Sequence, residues 1–179
     1  FRANATAPLV PAGGVDYAAG YIAAARAANP NTVVVAAGDL IGASPLVSAL
    51  FHDEPTIETM NRAGLDFNAV GNHEFDEGKD ELLRMQRGGC HPTDVANSCR
   101  GAEVGTPVPF EGAKFKFLAA NVVKKGSGKT LFAPYGLKKF DIGGRAVTVA
   151  FIGMTPKEPP QIVPPTGANG LVFRAAAPT

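Results

Sequence analysis

Two stretches decide the fold of this chain: Thr32-Val33-Val34-Val35-Ala36-Ala37-Gly38-Asp39 and Phe67-Asn68-Ala69-Val70-Gly71-Asn72-His73-Glu74-Phe75-Asp76. The first is a short continuous apolar run rich in β-branched residues, which is typical of a strand buried on both faces. The second begins as a brief strand over 67–70. Each predicted strand leads directly into a glycine and then into polar side chains, so both predict a functional loop at the end of a strand.

The remaining pattern predicts alternating helices and strands. Helices are expected over residues 16–29, 46–51, 56–63 and 77–87, with Glu54-Pro55 interrupting the chain before the third. Further strands are expected over 114–120, 137–142 and 145–152, the last two joined as a hairpin by Asp141-Ile142-Gly143-Gly144. We expect an irregular segment over 1–14 and a Pro/Gly-rich tail over 156–179 that winds over the surface. This alternation indicates an α/β domain.

Composition limits the classes of function. The chain has 179 residues, of which 45% are hydrophobic and 18% are charged, enough for one domain with a hydrophobic core rather than a disordered chain. The net charge of +1 gives no electrostatic argument for binding nucleic acid or a membrane surface. No apolar run approaches the roughly 18 residues of a membrane span.

The two cysteines, Cys90 and Cys99, flank a polar stretch rich in turn-forming residues. They are either two free thiols or a disulfide that closes a short surface loop. We predict the disulfide, which suits an extracytoplasmic protein. A zinc site that uses both cysteines and His91 is disfavoured, because structural zinc takes four ligands and the chain has no other cysteine.

The polar residues after the two strands suit a metal centre. Ligands of α/β sheets gather beyond the carboxyl ends of the strands, so Asp39 and Asn72 are expected to face one crevice if their strands are neighbours. A carboxylate can bridge two divalent cations, and an amide oxygen is a neutral hard ligand. The preceding glycines let the backbone approach such a site closely.

His73 and Asp76 suit acid–base or electrostatic work beside those ligands. Asp76 follows His73 by three residues and is expected to hold the imidazole by a hydrogen bond, which favours its protonated form. A protonated imidazole can stabilise phosphoryl oxygens or protonate a leaving alkoxide.

Each residue taken singly has a plainer explanation. Asp39 alone is more often a helix N-cap or turn residue, and Asn72 alone is more often a left-handed turn residue. His73 alone is a hydrogen-bonded loop histidine, and Glu74 and Asp76 are partners for the dipole of the following helix. The combined pattern, a Gly-Asp strand end followed one α/β unit later by Gly-Asn-His-Glu-x-Asp, favours the metal centre.

These motifs resemble those of a known superfamily. Gly38-Asp39-Leu40 and Gly71-Asn72-His73-Glu74-Phe75-Asp76 look like the second and third signature blocks of the calcineurin-like metallophosphoesterases, and the second is the form typical of their 5'-nucleotidase branch. The resemblance continues in order through residues 119–122, 128–135, 149–155 and 171–174.

The resemblance implies a four-layer α-β-β-α sandwich and hydrolysis of phosphomonoesters, most often small 5'-nucleotides. It also implies two divalent metal ions about 3.5–4 Å apart. Asp39 corresponds to the bridging carboxylate, Asn72 to a ligand of one metal, His73 to the catalytic histidine and Asp76 to the carboxylate that orients it. Manganese, zinc, cobalt and iron all suit such ligands.

The sequence also departs from the family pattern. The family's first metal ligands lie in an Asp-x-His motif that is absent here, and His52 and His91 match no ligand block and are interpreted as surface residues. We therefore expect residues 1–179 to form a partial catalytic domain that lacks the first strand, the C-terminal third and the nucleoside-binding domain. Alone it is expected to be inactive.

The resemblance and the predicted disulfide together indicate a periplasmic or secreted hydrolase of nucleotide breakdown. Two alternatives stay open. One is a non-catalytic binding or structural module that keeps the fold. The other is a related phosphodiesterase or nucleotide-sugar hydrolase.

Overall fold

A computed structural model describes residues 13–100 and 108–175. The helices are α1 (Val15–Ala28), α2 (Leu46–Ala49), α3 (Glu54–Ala63), α4 (Lys79–Arg87) and α5 (Pro159–Ile162), with a 3₁₀ turn at His73–Phe75. The strands are β1 (Val35–Ala36), β2 (Phe67–Ala69), β3 (Lys116–Leu118), β4 (Val122–Lys124), β5 (Tyr135–Ile142), β6 (Arg145–Ile152) and β7 (Leu171–Phe173). The mixed α/β fold predicted from the sequence is confirmed. Most of the irregular segment predicted over 1–14 lies outside the described residues.

A parallel three-stranded sheet in the order β1-β2-β3 positions the polar loops. Val35 pairs with Phe67, and Phe67 pairs with Lys116. The strands before Asp39 and Asn72 are therefore neighbours, which was the condition for the two residues to face one crevice, and their carboxyl ends share one edge of the sheet. The prediction that the first strand is buried on both faces is wrong, since Val35 is 52% exposed. Among the described residues, β1 is an edge strand that pairs only with β2.

Two antiparallel ribbons complete the strands. The predicted hairpin is confirmed as β5 and β6, whose register runs from Tyr135 opposite Ile152 to Ile142 opposite Arg145. The second ribbon pairs β4 with β7 from the Pro/Gly-rich tail. The prediction that this tail only winds over the surface is therefore wrong. Leu171 in β7 is 4% exposed, because its apolar side chain joins the core.

Helix α3 begins at Glu54, so the predicted interruption at Glu54-Pro55 is wrong. A proline is tolerated in the first helical turn, where its missing N–H has no intrahelical partner. Gly64 ends the helix in the left-handed conformation with φ 79°, which glycine adopts without steric cost.

The core lies between the parallel sheet and helices α3 and α4. Ile57 of α3 and Leu82 and Met85 of α4 are almost fully buried, together with Phe75 from the 3₁₀ turn and Phe117 from β3. Full burial of such a side chain contributes about 1.5–3 kcal/mol. This packing fixes the loop after β2 against the sheet. Across the described parts of the chain, no helix combines the length and apolar character that crossing a bilayer requires.

Candidate active site

The loops after β1 and β2 meet through a direct hydrogen bond. The backbone N–H of His73 donates to Oδ1 of Asp39 at 3.1 Å. Asp39 has a φ of 56°, in the left-handed region that residues other than glycine seldom adopt. No described helix begins directly after Asp39, so the plainer explanation of this residue as a helix N-cap does not hold.

Asn72 stands at the entry to the 3₁₀ turn. Its φ of −82° and ψ of −39° are right-handed, so the plainer explanation of Asn72 as a left-handed turn residue is wrong. Its side chain is half-buried. Asn72 and Asp39 follow adjacent parallel strands, which places both at the same edge of the sheet.

Two glycines allow this close approach of the loops. A Cβ atom at Gly71 would lie 2.3 Å from Oδ1 of Asp39. A Cβ atom at Gly42 would lie 2.5 Å from the carbonyl oxygen of His73 and 2.7 Å from Oδ2 of Asp76. Any other residue at these positions would displace the polar groups, so the glycines determine where those groups lie.

The predicted hydrogen bond between His73 and Asp76 is present. Nδ1 of His73 lies 2.7 Å from Oδ2 of Asp76. Since a carboxylate only accepts, the imidazole donates from Nδ1 and its Nε2 remains for other partners. This bond raises the pKa of His73 above its ordinary value; burial opposes the shift, and the charges of Asp76, Asp39 and Glu74 add to it. The side chain is 40% exposed, so it is accessible to a ligand.

Glu74 ties the two loops together, a role that the sequence analysis missed. Its side chain is buried, with the residue 2% exposed. The carboxylate accepts hydrogen bonds from the backbone N–H groups of Asp39 at 2.9 Å, Leu40 at 3.1 Å and Gly71 at 2.8 Å. Burial raises the pKa of the Glu74 carboxyl, and these hydrogen bonds offset part of the rise. The signal available in the sequence was that Glu74 directly precedes the apolar Phe75 and lies three residues after Gly71, in a loop that has to pack closely.

Asn68 of β2 extends this network and was also missed. It is fully buried, and its Nδ2 donates to Oε1 of Glu74 at 3.0 Å. Its Oδ1 accepts from the backbone N–H of Gly38 at 3.0 Å. A polar residue inside a predicted strand was the signal for this role. Asn68 and Glu74 therefore hold the two strand ends at a fixed separation.

A cavity of about 390 Å³ adjoins these groups. Asp39 and His73 are its titratable residues. Its other walls come from the loop after β1 and from α3, through residues Leu40, Ile41, Ala43, Ser44, Pro45, Thr56 and Met60. The combination of apolar walls with a carboxylate and an imidazole is typical of small-molecule sites.

Buried Asp53 shapes the loop that forms one wall of this cavity. Its carboxylate accepts from the backbone N–H of Gly42 at 2.8 Å and from Oγ of Ser48 at 2.7 Å. The hydroxyl of Ser44 donates to the same carboxylate. These bonds fold residues 42–53 back on themselves beneath the site.

The prediction that His52 and His91 are surface residues is wrong. Their side chains are 15% and 19% exposed, and their rings stack with centroids 4.1 Å apart and planes 4° apart. The predicted Cys90–Cys99 disulfide is present and folds the loop carrying His91 over His52. Burial lowers the pKa of His52, but hydrogen bonds to Glu77 and Asp94 outweigh burial, so the net pKa is raised.

Comparison with known proteins identifies several relatives of this chain, although no family model matches. The chain is 52% identical over 132 residues to an Acinetobacter calcoaceticus protein described as "Uncharacterized protein in pqq-V 5'region", covering 73% of this chain and 62% of that protein. It is 38% identical to Endonuclease YhcR of Bacillus subtilis, over 90% of this chain and 12% of the relative. It is 30% identical to the 5'-nucleotidase of Vibrio cholerae, over 82% of this chain and 22% of that protein.

Solved structures with a similar fold come from the same kinds of protein. The 5'-nucleotidase precursor of Thermus thermophilus matches with a TM-score of 0.66 and 25% identity, over 93% of this chain and 27% of that one. The resemblance to the 5'-nucleotidase branch of the metallophosphoesterases is confirmed. The calcineurin-like phosphoesterase YfkN of Bacillus subtilis shares the fold with a TM-score of 0.66 and 24% identity, over 94% of this chain and 48% of that one. The chain spans less than two thirds of each of these proteins.

Proposed function

We propose that this chain is part of the catalytic domain of a metal-dependent phosphomonoesterase that hydrolyses 5'-nucleotides to nucleoside and phosphate. The observation that carries the proposal is the meeting of Asp39, Asn72 and the His73–Asp76 pair at the carboxyl edge of two adjacent parallel strands. The similarity to the Vibrio cholerae 5'-nucleotidase supports the choice of substrate class.

The residues at this edge fit divalent metal ions. Asp39 offers an exposed carboxylate, Asn72 offers an amide oxygen, and the absence of a Cβ at Gly71 leaves the space that Asp39 occupies. Manganese, zinc, cobalt and iron accept such ligands. Bound metals would lower the pKa of a water molecule and neutralise phosphate charge. Two protein ligands do not complete the coordination of two ions, so we place the remaining ligands in other segments of the whole protein.

His73 supplies the proton chemistry in this proposal. Asp76 holds the ring by its Nδ1 and favours the imidazolium form, which leaves the Nε2 proton for the phosphoryl or leaving-group oxygen. Asp76 acts only through His73 and is therefore a positioning residue. Glu74 fixes the backbone at Gly71, just before the pair, and at Asp39 and Leu40 in the neighbouring loop.

We also propose a periplasmic or secreted location. The Cys90–Cys99 disulfide supports this location, since disulfides persist in oxidising compartments.

A second candidate activity is the hydrolysis of phosphodiesters. It is favoured by the 38% identity to a protein named as an endonuclease. A phosphodiester carries one negative charge fewer at the phosphate than a monoester does. The two candidates therefore differ in the substrate that the whole protein should prefer.

The test compares 5'-AMP with bis-p-nitrophenyl phosphate as substrates of the whole protein that carries this chain, with manganese added. We expect chelator-sensitive phosphate release from 5'-AMP that Asp39→Asn abolishes and the exposed-carboxylate control Asp80→Asn retains. Preferred cleavage of the diester would replace the first proposal with the second. Absence of both reactions in a metal-loaded protein would leave a non-catalytic module.

A further inference from the structure

A second group of potential metal ligands lies outside the proposed active centre. One ligand atom each from His52, Glu77 and His91 lies within 4.8 Å of the others. We propose that these three side chains bind a divalent transition-metal ion such as Zn²⁺. This inference uses none of the residues assigned to the proposed function and does not rest on that function.

Three separate segments supply the cluster. His52 precedes α3, Glu77 precedes α4, and His91 lies in the loop closed by the disulfide. A metal ion would therefore cross-link elements that are distant in sequence. Two imidazoles and one carboxylate form a donor set that zinc accepts, with one coordination position left for water.

The hydrogen bonds around His52 suit a ligand histidine. Its Nδ1 lies 2.7 Å from Oε2 of Glu77, so these two atoms already face each other. Its Nε2 lies 3.2 Å from Oδ2 of Asp94. A ligand histidine commonly donates its second ring N–H to a carboxylate, which fixes the tautomer. Asp94 is placed to receive that bond.

His91 is held by its neighbours on the disulfide loop. Its Nδ1 accepts the backbone N–H of Asp94 at 3.0 Å, and its Nε2 lies 3.9 Å from Oε2 of Glu81. A half-turn of the ring about the Cβ–Cγ bond exchanges each nitrogen with a ring carbon, so turning a nitrogen of His91 toward an ion changes these contacts. The parallel stack with His52 keeps both rings on one side of the cluster.

The local charge favours a cation. Carboxylates from Glu77, Glu81 and Asp94 surround the two histidines. Among the described contacts, Arg84 supplies a positive charge near the cluster. It already forms salt bridges to Glu81 at 2.6 Å and to Glu54 at 2.7 Å. The excess of negative charge attracts a divalent ion into the cluster.

Hydrogen bonds and the disulfide anchor the loop that carries His91 without any bound ion. Buried Glu54 accepts the backbone N–H of Cys99 at 2.8 Å and the hydroxyl of Ser98. The disulfide holds the other end of the loop at Cys90. A site whose supporting residues are already fixed loses less entropy when it binds a metal.

The experiment is a zinc titration of the whole protein that carries the Asp39→Asn change. Zinc binding is monitored by calorimetry and by NMR of the imidazole resonances. The Asp39→Asn change removes the carboxylate of the proposed active centre. The imidazole resonances of His52, His73 and His91 are assigned through the backbone amides of the same residues. We expect one zinc equivalent to bind, with the His52 and His91 resonances shifting in step with occupancy.

When His52→Gln, His91→Gln or Glu77→Gln is introduced into the Asp39→Asn protein, each should weaken zinc binding at least about tenfold. The exposed-carboxylate control Glu111→Gln should bind as tightly as its parent. Absence of stoichiometric zinc binding overturns the proposal, as does binding that leaves the His52 and His91 resonances unmoved. The NMR result on the parent protein decides the question even if a histidine variant does not fold.

Discussion

Nδ1 of His73 lies 2.7 Å from Oδ2 of Asp76, and this oxygen rests against Gly42, where a Cβ atom would lie 2.7 Å from it. The loop after β1 thus supports a pair that belongs to the loop after β2. The hydrogen bond that raises the pKa of His73 therefore lies where the two loops meet.

The Asp76→Asn variant is expected to lower the pKa of His73, since it removes the hydrogen-bonded carboxylate that raises this pKa. NMR titration of the metal-free protein measures the change directly. A raised pKa means that the ion pair stabilises the fold fully below the unfolded pKa of about 6.5, and that this contribution is lost as the pH rises through the folded pKa. Asp76→Asn should therefore destabilise the protein more at acidic than at alkaline pH.

The control for this prediction is Asp80→Asn, which changes an exposed carboxylate in the first turn of α4. It should leave the His73 titration unchanged. An unaltered His73 pKa in the Asp76→Asn protein would show that the bond is absent in solution.

The Glu74→Ala variant is expected to lower the free energy of unfolding by about 2–4 kcal/mol. It leaves the buried N–H group of Gly71 and the partly buried N–H groups of Asp39 and Leu40 without their acceptor. Urea denaturation measures the effect. Glu111→Ala removes a carboxylate from an exposed position and should change stability by less than about 0.5 kcal/mol. Equal effects of the two variants would refute the anchoring role of Glu74.

The Gly71→Ala variant is expected to destabilise the protein by about 1–3 kcal/mol, because its Cβ would overlap the Asp39 carboxylate. The matched control is Gly20→Ala, which lies in α1 with no atom within 4 Å of the added Cβ. That control should be neutral or slightly stabilising, since alanine favours helix more than glycine does. Thermal unfolding of both variants tests the prediction. A Gly71→Ala protein as stable as wild type would mean that the two loops are further apart than described.

Paired Cys90→Ser and Cys99→Ser changes are expected to cost about 2–3 kcal/mol of stability through the lost loop closure. Denaturation of the double variant beside the oxidised wild type gives the difference. Wild type with a fully reduced disulfide should have the same free energy of unfolding as the double variant. A stability that does not depend on the redox state would contradict the presence of the bond.

The sequence identified the polar residues at the two strand ends more readily than the residues that support them. Asp39, Asn72, His73 and Asp76 were identifiable because strand ends, glycines and ligand-type residues coincide at those positions. The anchoring role of Glu74 was not predicted, since burial depends on tertiary packing that local sequence does not encode. The same limit applies to Asn68, whose two partners lie in different loops.

The histidines outside the motif show a second limit. His52 and His91 are separated along the chain, and each lies among polar residues, so the sequence pattern indicated exposed positions. The disulfide and the contacts to Glu54 bring them together, which no local pattern predicts. The edge position of β1 has a similar origin, because pairing partners rather than apolar content decide whether a strand is covered.

The most direct test of the central claim is the steady-state rate of phosphate release from 5'-AMP by the whole protein in saturating manganese, compared between wild type and His73→Asn. The proposed role of His73 predicts that kcat falls by about 10²–10⁴-fold while the bound metal content is unchanged. A His73→Asn protein that retains the wild-type kcat would contradict it, as would a metal-loaded wild type that releases no phosphate.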